Sequence, residues 1–363
     1  MLYLDYQSTT PLAPEARAAM LRWLDGPGEG DGFANPASNY RAGRAAAAAV
    51  EVARDHVAAL LPPGGHVSFT SGATEAINWA LFAAQRHYKA SVAATAIEHA
   101  ATIQCAEHLD GTLWPVDPAG IAMLPDGIAP GTLGACMLVN NEVGTIQPVA
   151  AFARAIHAAG GLLLCDAVQG FGRMTIPAGP DFIAVTAHKI HGPKGIGALW
   201  VKDGVHLPPL LLGGAQEEGM RSGTVSPALV AGFGAAAALA GQQMAADAVH
   251  AARLWEIAAD RLDGWTINGA VGSGQRWRGN INVRRAGVNA ARLLSDARNV
   301  AFSLGSACGS GSGRVSHVLR AMGLNEAEAR SSMRLGWGRY TSEVELTAGL
   351  DAIIAAAQLQ GVE

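Results

Sequence analysis

The sequence predicts an α/β fold built on a doubly wound, mostly parallel sheet. Short apolar runs typical of buried strands alternate with longer helix-like stretches between residues 43 and 201, the pattern of parallel sheets covered by helices on both faces. Polar residues follow most of the strand-like runs. Because ligands bind beyond the carboxyl ends of the strands in such sheets, this pattern also predicts a functional site at one edge.

The predicted elements follow in chain order. Strands are expected where an apolar run is bounded by glycine or polar residues, at 66–70, 91–94, 135–139, 162–165, 182–185 and 196–201. Helices are expected at 43–61, 74–87, 99–109 and 149–159. The alanine-rich stretch 229–241 predicts a buried helix, and we expect no apolar span of 18 residues that would cross a membrane. After residue 242 a further helix, short strands at 266–268 and 280–283, and more helices predict a second, smaller domain.

The composition excludes some classes of function. The chain has 363 residues and a net charge of −4, which argues against nucleic-acid binding because phosphate contacts require a basic face. The N-terminus has no basic region or cleavage-like site, so no secretion signal is expected. Four cysteines show neither disulfide-like nor zinc-like spacing, and we therefore expect a reducing, cytoplasmic location and no bound metal.

Lys189 is the most informative residue of the chain. It follows the predicted strand 182–185 and precedes a turn rich in glycine and proline, which predicts a lysine held inside the protein at a strand end. A desolvated lysine amine is a nucleophile that forms Schiff bases with carbonyl compounds. The alternative is a surface lysine in a β-turn.

The string HVSFTSGATEA predicts an anion site where strand 66–70 meets the next helix. Exposed helix-start amides and hydroxyl groups bind phosphate, and neither a P-loop nor a dinucleotide-binding glycine motif occurs elsewhere in the chain. The alternative is an ordinary N-cap.

Asp166 and His99 also lie near predicted strand ends. A carboxylate at the end of an apolar strand is costly without a cationic partner, and Asp166 is close enough along the chain to meet the same ligand as Lys189. His99 begins a helix, where it can stack on a planar cofactor and exchange protons. The alternatives are a capping aspartate and a capping or surface histidine.

Two residues near the C-terminus are candidates for substrate chemistry. Cys308 lies among glycines and serines, whereas the other three cysteines lie in apolar contexts, so Cys308 is expected to be an accessible thiol. Arg334 lies in a short strand-like run, and its guanidinium is suited to hold a substrate carboxylate. A surface thiol without function and a structural, salt-bridged arginine are the alternatives.

Taken together, these motifs resemble the cysteine desulfurases of the NifS/IscS type within the class V aminotransferase group. The resemblance runs from YLDYQSTTP to SSMRLGWGRY and includes NPAS, FTSGATEA, IEHAA, LVNNEVGTIQP, CDAVQ, AHKIHGPKGIGAL, GMRSGT and GSAC in the order of the family. It implies the type I fold of transferases that depend on pyridoxal 5'-phosphate (PLP), with a seven-stranded sheet in the large domain. The domains implied are 16–245, and 1–15 with 246–363, the smaller one carrying the Cys308 loop.

The resemblance also implies roles for individual residues. Lys189 would bind PLP covalently, Asp166 would pair with the ring nitrogen, Gln169 would bond the ring hydroxyl and His99 would stack on the ring. The phosphate would be held by Ala73, Thr74, Thr186 and His188, and by Thr224 of a neighbouring subunit, which implies a homodimer. Asn141, which also counts among the cofactor-binding residues, would hold the substrate carboxylate together with Arg334 and Asn35. One departure is Glu218, which stands where the family usually has arginine.

The reaction implied is the conversion of L-cysteine to L-alanine, with sulfur transferred to Cys308 as a persulfide. An acceptor protein, such as an iron–sulfur scaffold or a thiolation enzyme, would then receive the sulfur. A selenocysteine lyase or an aminotransferase of small amino acids is the alternative, and the aminotransferase has no use for Cys308. A non-catalytic homologue is disfavoured because Lys189, Asp166, His99 and Cys308 are all present.

Overall fold

The computed structural model describes residues 1–272, 274–304 and 315–361. The strands are β1 (Leu2–Tyr3), β2 (Gly65–Thr70), β3 (Val92–Thr95), β4 (Thr112–Trp114), β5 (Leu133–Ala135), β6 (Leu162–Asp166), β7 (Phe182–Thr186), β8 (Gly197–Lys202), β9 (Thr266–Ile267), β10 (Asn280–Arg284), β11 (Val300–Ala301), β12 (Ser303–Leu304) and β13 (Ser332–Gly336). The helices are α1 (Pro14–Leu21), α2 (Arg41–Ala58), α3 (Ala73–Tyr88), α4 (Ala100–His108), α5 (Val149–Ala158), α6 (Pro227–Arg261), α7 (Ala290–Asp296), α8 (His317–Ala321), α9 (Glu326–Arg330) and α10 (Glu343–Gln358).

A seven-stranded sheet forms the centre of the larger part of the molecule. Its strand order is β2-β8-β7-β6-β5-β3-β4, in which β8 runs antiparallel to both of its neighbours and the other pairs are parallel. The prediction of a mostly parallel sheet with seven strands is confirmed. Strands β6 and β7 are buried over almost their whole length because helices cover the sheet, which explains their continuous apolar sequence.

Two strand predictions require correction. The predicted strand at 135–139 is wrong in position, since β5 ends at Ala135. Beyond it the chain still follows β6, because the amide of Leu138 donates to the carbonyl of Asp166 at 2.9 Å. Strand β4 was not predicted, because it is a three-residue edge strand with two exposed side chains and no clear apolar run.

Helix α6 is much longer than the predicted helix at 229–241. It has 35 residues and packs against α1, α2 and α10. The expectation that no apolar span of 18 residues occurs is wrong for α6. By length and composition alone, 18 consecutive residues of this helix are apolar enough to cross a membrane. Packing against three other helices accounts for that apolar composition, as it does for a core helix.

The smaller part of the molecule is built on a second sheet of order β12-β13-β10-β9, with β1 paired to β11 beside it. The isolated bridge from Asp5 to Gly336 brings the N-terminal segment against β13. The predicted division at residues 245 and 246 falls inside α6, which runs without interruption from the larger part into the smaller one. The domain limits therefore stay a prediction.

Candidate active site

A cavity of about 410 Å³ lies at the carboxyl ends of the central strands. Strands β2, β6 and β7 all end at this edge, which explains why polar residues distant in the sequence meet there. Among the sequence-predicted residues, those lining the cavity are Ala73, Thr74, His99, Asn141, Asp166, Gln169, Thr186, His188, Lys189 and Arg334. This volume lies within the range of small-molecule sites.

Lys189 lies directly after β7, in a single turn of 3₁₀-helix, and is not the surface lysine of the alternative interpretation. Its Nζ donates to the carbonyl of Ser8 at 2.6 Å and also contacts the carbonyl of Gln7. The hydroxyl of Thr10 donates to the carbonyl of His188 at 2.9 Å, which ties the N-terminal segment to this turn. The partly buried amine is therefore held at the cavity by backbone carbonyl oxygens of the N-terminal segment.

The start of α3 forms one end of the cavity. Its N-cap, Gly72, provides no side-chain cap, so the first amides of the helix, including those of Ala73 and Thr74, have no intrahelical acceptor and remain suited to an anion. Burial, reinforced by the positive charges of Lys189 and Lys194, lowers the pKa of His188 to about 4. His188 is consequently neutral near pH 7 and retains one ring N–H as a donor.

Thr186 is placed at the end of β7 but its hydroxyl is already engaged. The hydroxyl donates to the carbonyl of Ile196 at 3.0 Å, across the turn that follows Lys189. Thr186 nevertheless lines the cavity. For Thr186 to donate to a phosphate, the hydroxyl would have to rotate away from Ile196.

His99 is both a cap and a cavity residue. Its Nδ1 accepts from the amide of Ala101 at 3.1 Å, which makes it the N-cap of α4. Because Nδ1 accepts, the neutral ring carries its proton on Nε2. His99 therefore caps α4 and lines the cavity at the same time, so its capping role does not exclude a role at the cofactor.

Asp166 is a buried carboxylate at the end of β6. Its Oδ1 accepts from the amide of Val168 at 3.0 Å. Burial raises the pKa of Asp166, and the charges of His99 and Lys189 oppose this rise. A cationic ligand group beside Asp166 would stabilise the ionised carboxylate.

Arg334 is almost fully buried, with 1% of its side chain exposed, and is engaged on two sides. Its Nη1 donates to the carbonyl of Asn141 at 3.1 Å, and its Nη2 donates to Oδ1 of Asp5 at 2.7 Å. Within the part of the chain that the structure describes, its Nε has no hydrogen-bond partner. Arg334 is therefore a salt-bridged arginine, as the structural alternative proposed, and it also lines the cavity.

Two predicted residues of the described part of the chain are not brought to this cavity. Asn35 and Thr224 are exposed and line a different cavity of about 260 Å³, beside the partly buried ion pair of Arg54 and Glu217. Cys308 lies outside the described residues. Among residues 1–272, 274–304 and 315–361, no three His, Cys, Asp or Glu side chains cluster as metal ligands.

Sequence reasoning missed the contribution of the N-terminal segment. Gln7 and Ser8 line the cavity, and the Nε2 of Gln169 donates to the carbonyl of Gln7 at 3.0 Å. It also missed Arg173, which lies behind Lys189. The motif YLDYQSTTP marked the segment as distinctive, but no local pattern connects it with a lysine more than 180 residues away.

The residues present fit the PLP that the family resemblance implies. The uncapped start of α3 suits a phosphate, the buried carboxylate of Asp166 suits a protonated ring nitrogen, and Lys189 supplies an amine for a carbonyl carbon. These three features match three different groups of one molecule and lie on one cavity. The donor set therefore supports binding of this cofactor.

Comparisons with known proteins agree with this chemistry. Residues 2–348 match the model of the class V aminotransferase family. The cysteine desulfurase IscS of Rickettsia bellii is 37% identical over 95% of this chain and 88% of its own length. The mitochondrial cysteine desulfurase of Saccharomyces cerevisiae is 38% identical over 95% of this chain and 72% of its own length.

Solved structures are similar over almost the whole chain. A NifS-like protein superposes with a TM-score of 0.89 at 28% identity and covers 99% of both chains. DndA from Streptomyces lividans has a TM-score of 0.74 at 30% identity, covering 91% of this chain and 98% of its own. These similarities agree with the predicted type I fold.

Proposed function

The chain belongs to the class V aminotransferase family, whose members depend on PLP, and on that premise we propose that it acts as a cysteine desulfurase. The observation that carries the proposal is the meeting of Lys189, Asp166 and Arg334 on one cavity wall. A lysine nucleophile, a carboxylate for the ring nitrogen and a guanidinium for a substrate carboxylate are the groups that an amino-acid reaction on PLP requires. The relatives named as cysteine desulfurases support L-cysteine as the amino acid.

Each residue then has a defined task. When bound, PLP withdraws electrons from the substrate Cα. Lys189 holds the cofactor and, once released, removes the Cα proton, for which its position at the end of β7 is suitable. Arg334, held by Asp5 and Asn141, orients the substrate carboxylate. His99, which lines the cavity, would cover the ring of the bound cofactor, and its Nε2 would be the atom that delivers a proton.

Cys308 is the proposed sulfur acceptor. Its thiolate attacks the substrate sulfur, so that a Cys308–sulfur bond forms while the Cβ–sulfur bond of cysteine breaks. The electron pair of the broken bond stays with Cβ, which takes up a proton. Cα regains the proton that Lys189 removed, and the product leaves as L-alanine. The products balance as alanine and a persulfide on Cys308, from which an acceptor protein of an iron–sulfur or thiolation pathway takes the sulfur. We propose that this occurs in the cytoplasm.

A homodimer is part of the proposal. Asn35 and Thr224 are exposed and lie outside the Lys189 cavity of their own chain, so their predicted roles require the cavity of a second copy. Mixing inactive Lys189→Ala subunits with inactive subunits that carry Asn35→Ala and Thr224→Ala tests this. Shared sites predict partial recovery of activity on mixing, because one site of each mixed dimer is intact. No recovery would contradict the shared site.

The reaction is tested on purified protein with L-cysteine and a reductant. We expect a yellow protein that forms sulfide and alanine in equal amounts, and a Cys308→Ser variant that stays yellow but forms no sulfide. Turnover of selenocysteine without turnover of cysteine would favour the lyase alternative. Amino transfer to a keto acid without sulfide release would favour the aminotransferase. A colourless protein that PLP does not restore would contradict the cofactor site.

A further inference from the structure

Arg173 is a partly buried cation that lies next to Lys189, where both residues line a small cavity separate from the one that holds Asp166. Its Nη1 donates to the side-chain Oε1 of Gln169 at 2.7 Å, and its Nη2 donates to the backbone carbonyl of Lys189 at 2.8 Å. Its guanidinium lies 5.9 Å from the ring centroid of Trp277. One guanidinium therefore holds two of the residues expected to meet the cofactor.

The local backbone explains how Arg173 reaches this place. Gly172 has a φ of 68°, in the left-handed region that favours glycine, and a Cβ there would lie 2.9 Å from the Cβ of Ala240 and 3.1 Å from Cγ2 of Ile190. The chain therefore turns after β6 in a way that only glycine accommodates easily. This turn points the side chain of Arg173 back beneath Gln169 and Lys189.

The charge of Arg173 has no carboxylate partner at ion-pair distance within the described part of the chain. The carboxylate of Asp247 favours the charged form of Arg173, but Arg339 already binds that carboxylate with an Nη2–Oδ2 distance of 2.6 Å. Burial lowers the pKa of Arg173 to about 10, so it still carries its charge near pH 7. Taking a cation out of water without a carboxylate partner costs free energy, so the contacts that hold Arg173 here must offset that cost. The other titratable or charged groups around it are Tyr6, Asp166, His188, Lys189, His191 and Lys194.

We propose that Arg173 is a positioning residue of the cofactor site, which orients the Gln169 amide and adds positive charge behind Lys189. Because Arg173 binds Oε1 of Gln169, the Nε2 of that amide is directed to the other side, where it donates one hydrogen to the carbonyl of Gln7 and has a second hydrogen for an oxygen of the cofactor. The positive charge disfavours protonation of the Lys189 nitrogen when it is linked to PLP. This inference rests on PLP binding at Lys189 and does not depend on the sulfur chemistry.

The test is a pH titration of the visible absorbance of the holoenzyme, combined with the dissociation constant of PLP. Arg173→Met should raise the midpoint of the absorbance change by about one pH unit, since removal of a nearby positive charge favours the protonated form. Arg173→Lys should keep the midpoint near that of the wild type. It should still weaken PLP binding severalfold, because one ammonium group does not reproduce the paired contacts of a guanidinium.

Arg276 provides a matched control. Its side chain is buried, its pKa is lowered by burial to about 10 like that of Arg173, and it donates to the carbonyls of Ala270, Val143 and Asn280. Arg276→Met and Arg276→Lys should leave both the midpoint and PLP binding unchanged. An unchanged midpoint in Arg173→Met, or an equal shift in Arg276→Met, would overturn the inference. If Arg173→Met does not fold, the inference is overturned when Arg173→Lys binds PLP as tightly as the wild type does. If the wild-type protein shows no visible absorbance band after addition of PLP, the cofactor site itself is overturned as well.

Discussion

Arg334 and Asp5 form a buried ion pair that joins the N-terminal segment to β13, with Nη2 of the arginine 2.7 Å from Oδ1 of the aspartate. The hydroxyl of Ser303 donates to the same oxygen at 2.9 Å. Asp5 therefore compensates the charge of the arginine that is proposed to hold the substrate carboxylate. The pair links the geometry of the site to the stability of the fold.

Asp5→Asn should destabilise the protein measurably. The change leaves a fully buried guanidinium without its counter-charge, which costs about 3 kcal/mol. Urea denaturation measures the free energy of unfolding. Asp31→Asn is the control, because the pair of Asp31 and Arg41 is 61% and 88% exposed and contributes about 0.5 kcal/mol or less. Equal effects of the two substitutions would contradict a special role for the buried pair.

Asp166→Asn should weaken cofactor binding without unfolding the protein. Asparagine keeps the oxygen that accepts from Val168 but cannot balance a protonated ring nitrogen, so the dissociation constant of PLP should rise about tenfold or more. Fluorescence titration with PLP measures the constant.

The matched control is Asp181→Asn. Asp181 is also buried but lies at the opposite end of the strands, where it binds the amide of Leu163 and the ring of His157. The Asp181→Asn substitution should lower the free energy of unfolding and leave the affinity for PLP unchanged. A comparable loss of affinity in both variants would show that Asp166 acts only through the fold.

Glu98→Gln should change how stability depends on pH. Burial raises the pKa of Glu98 from 4.5 to about 8, even though Thr95 and Met137 donate to its Oε1. The protonated acid is favoured in the folded state, so its stabilising effect is complete below about pH 4.5 and is lost as the pH rises through about 8. Glutamine does not ionise and should not show this loss.

The measurement is urea denaturation at pH 5, 6.5 and 8. The difference in unfolding free energy between Glu98→Gln and wild type should grow with pH, by about 2 kcal/mol or more over this range. Glu107→Gln, on the exposed side of α4, should follow the wild type at every pH. A constant difference between Glu98→Gln and wild type would show that folding does not raise the pKa of Glu98.

Alkylation should distinguish Cys308 from the other cysteines. Cys105, Cys136 and Cys165 are buried free thiols, and burial raises the pKa of each, which keeps them protonated and unreactive near pH 8. Iodoacetamide should therefore label Cys308 first in the folded protein, and the other three only after unfolding. Peptide mass spectrometry identifies the site. Rapid labelling of a second cysteine would contradict the predicted contrast.

The amino-acid sequence by itself determined the α/β alternation and most strand positions. A buried parallel strand is a continuous apolar run in the sequence, whichever strands lie beside it in the sheet. The sequence also placed Asp166 and Lys189 at strand ends, since both follow such runs directly. It could not show the three-residue strand β4 or the full length of α6, whose signals are weak or alanine-rich.

Only the tertiary structure decided which distant residues meet. Asp5 and Arg334 are 329 residues apart, and Ser8 and Lys189 are 181 apart, so no local periodicity connects them. Arg173 is close to Lys189 in the sequence, but its side chain reaches that carbonyl because the turn at Gly172 packs against Ile190 and Ala240. The sequence pattern therefore predicts where strands end, whereas packing of the N-terminal segment against both sheets determines what surrounds those ends.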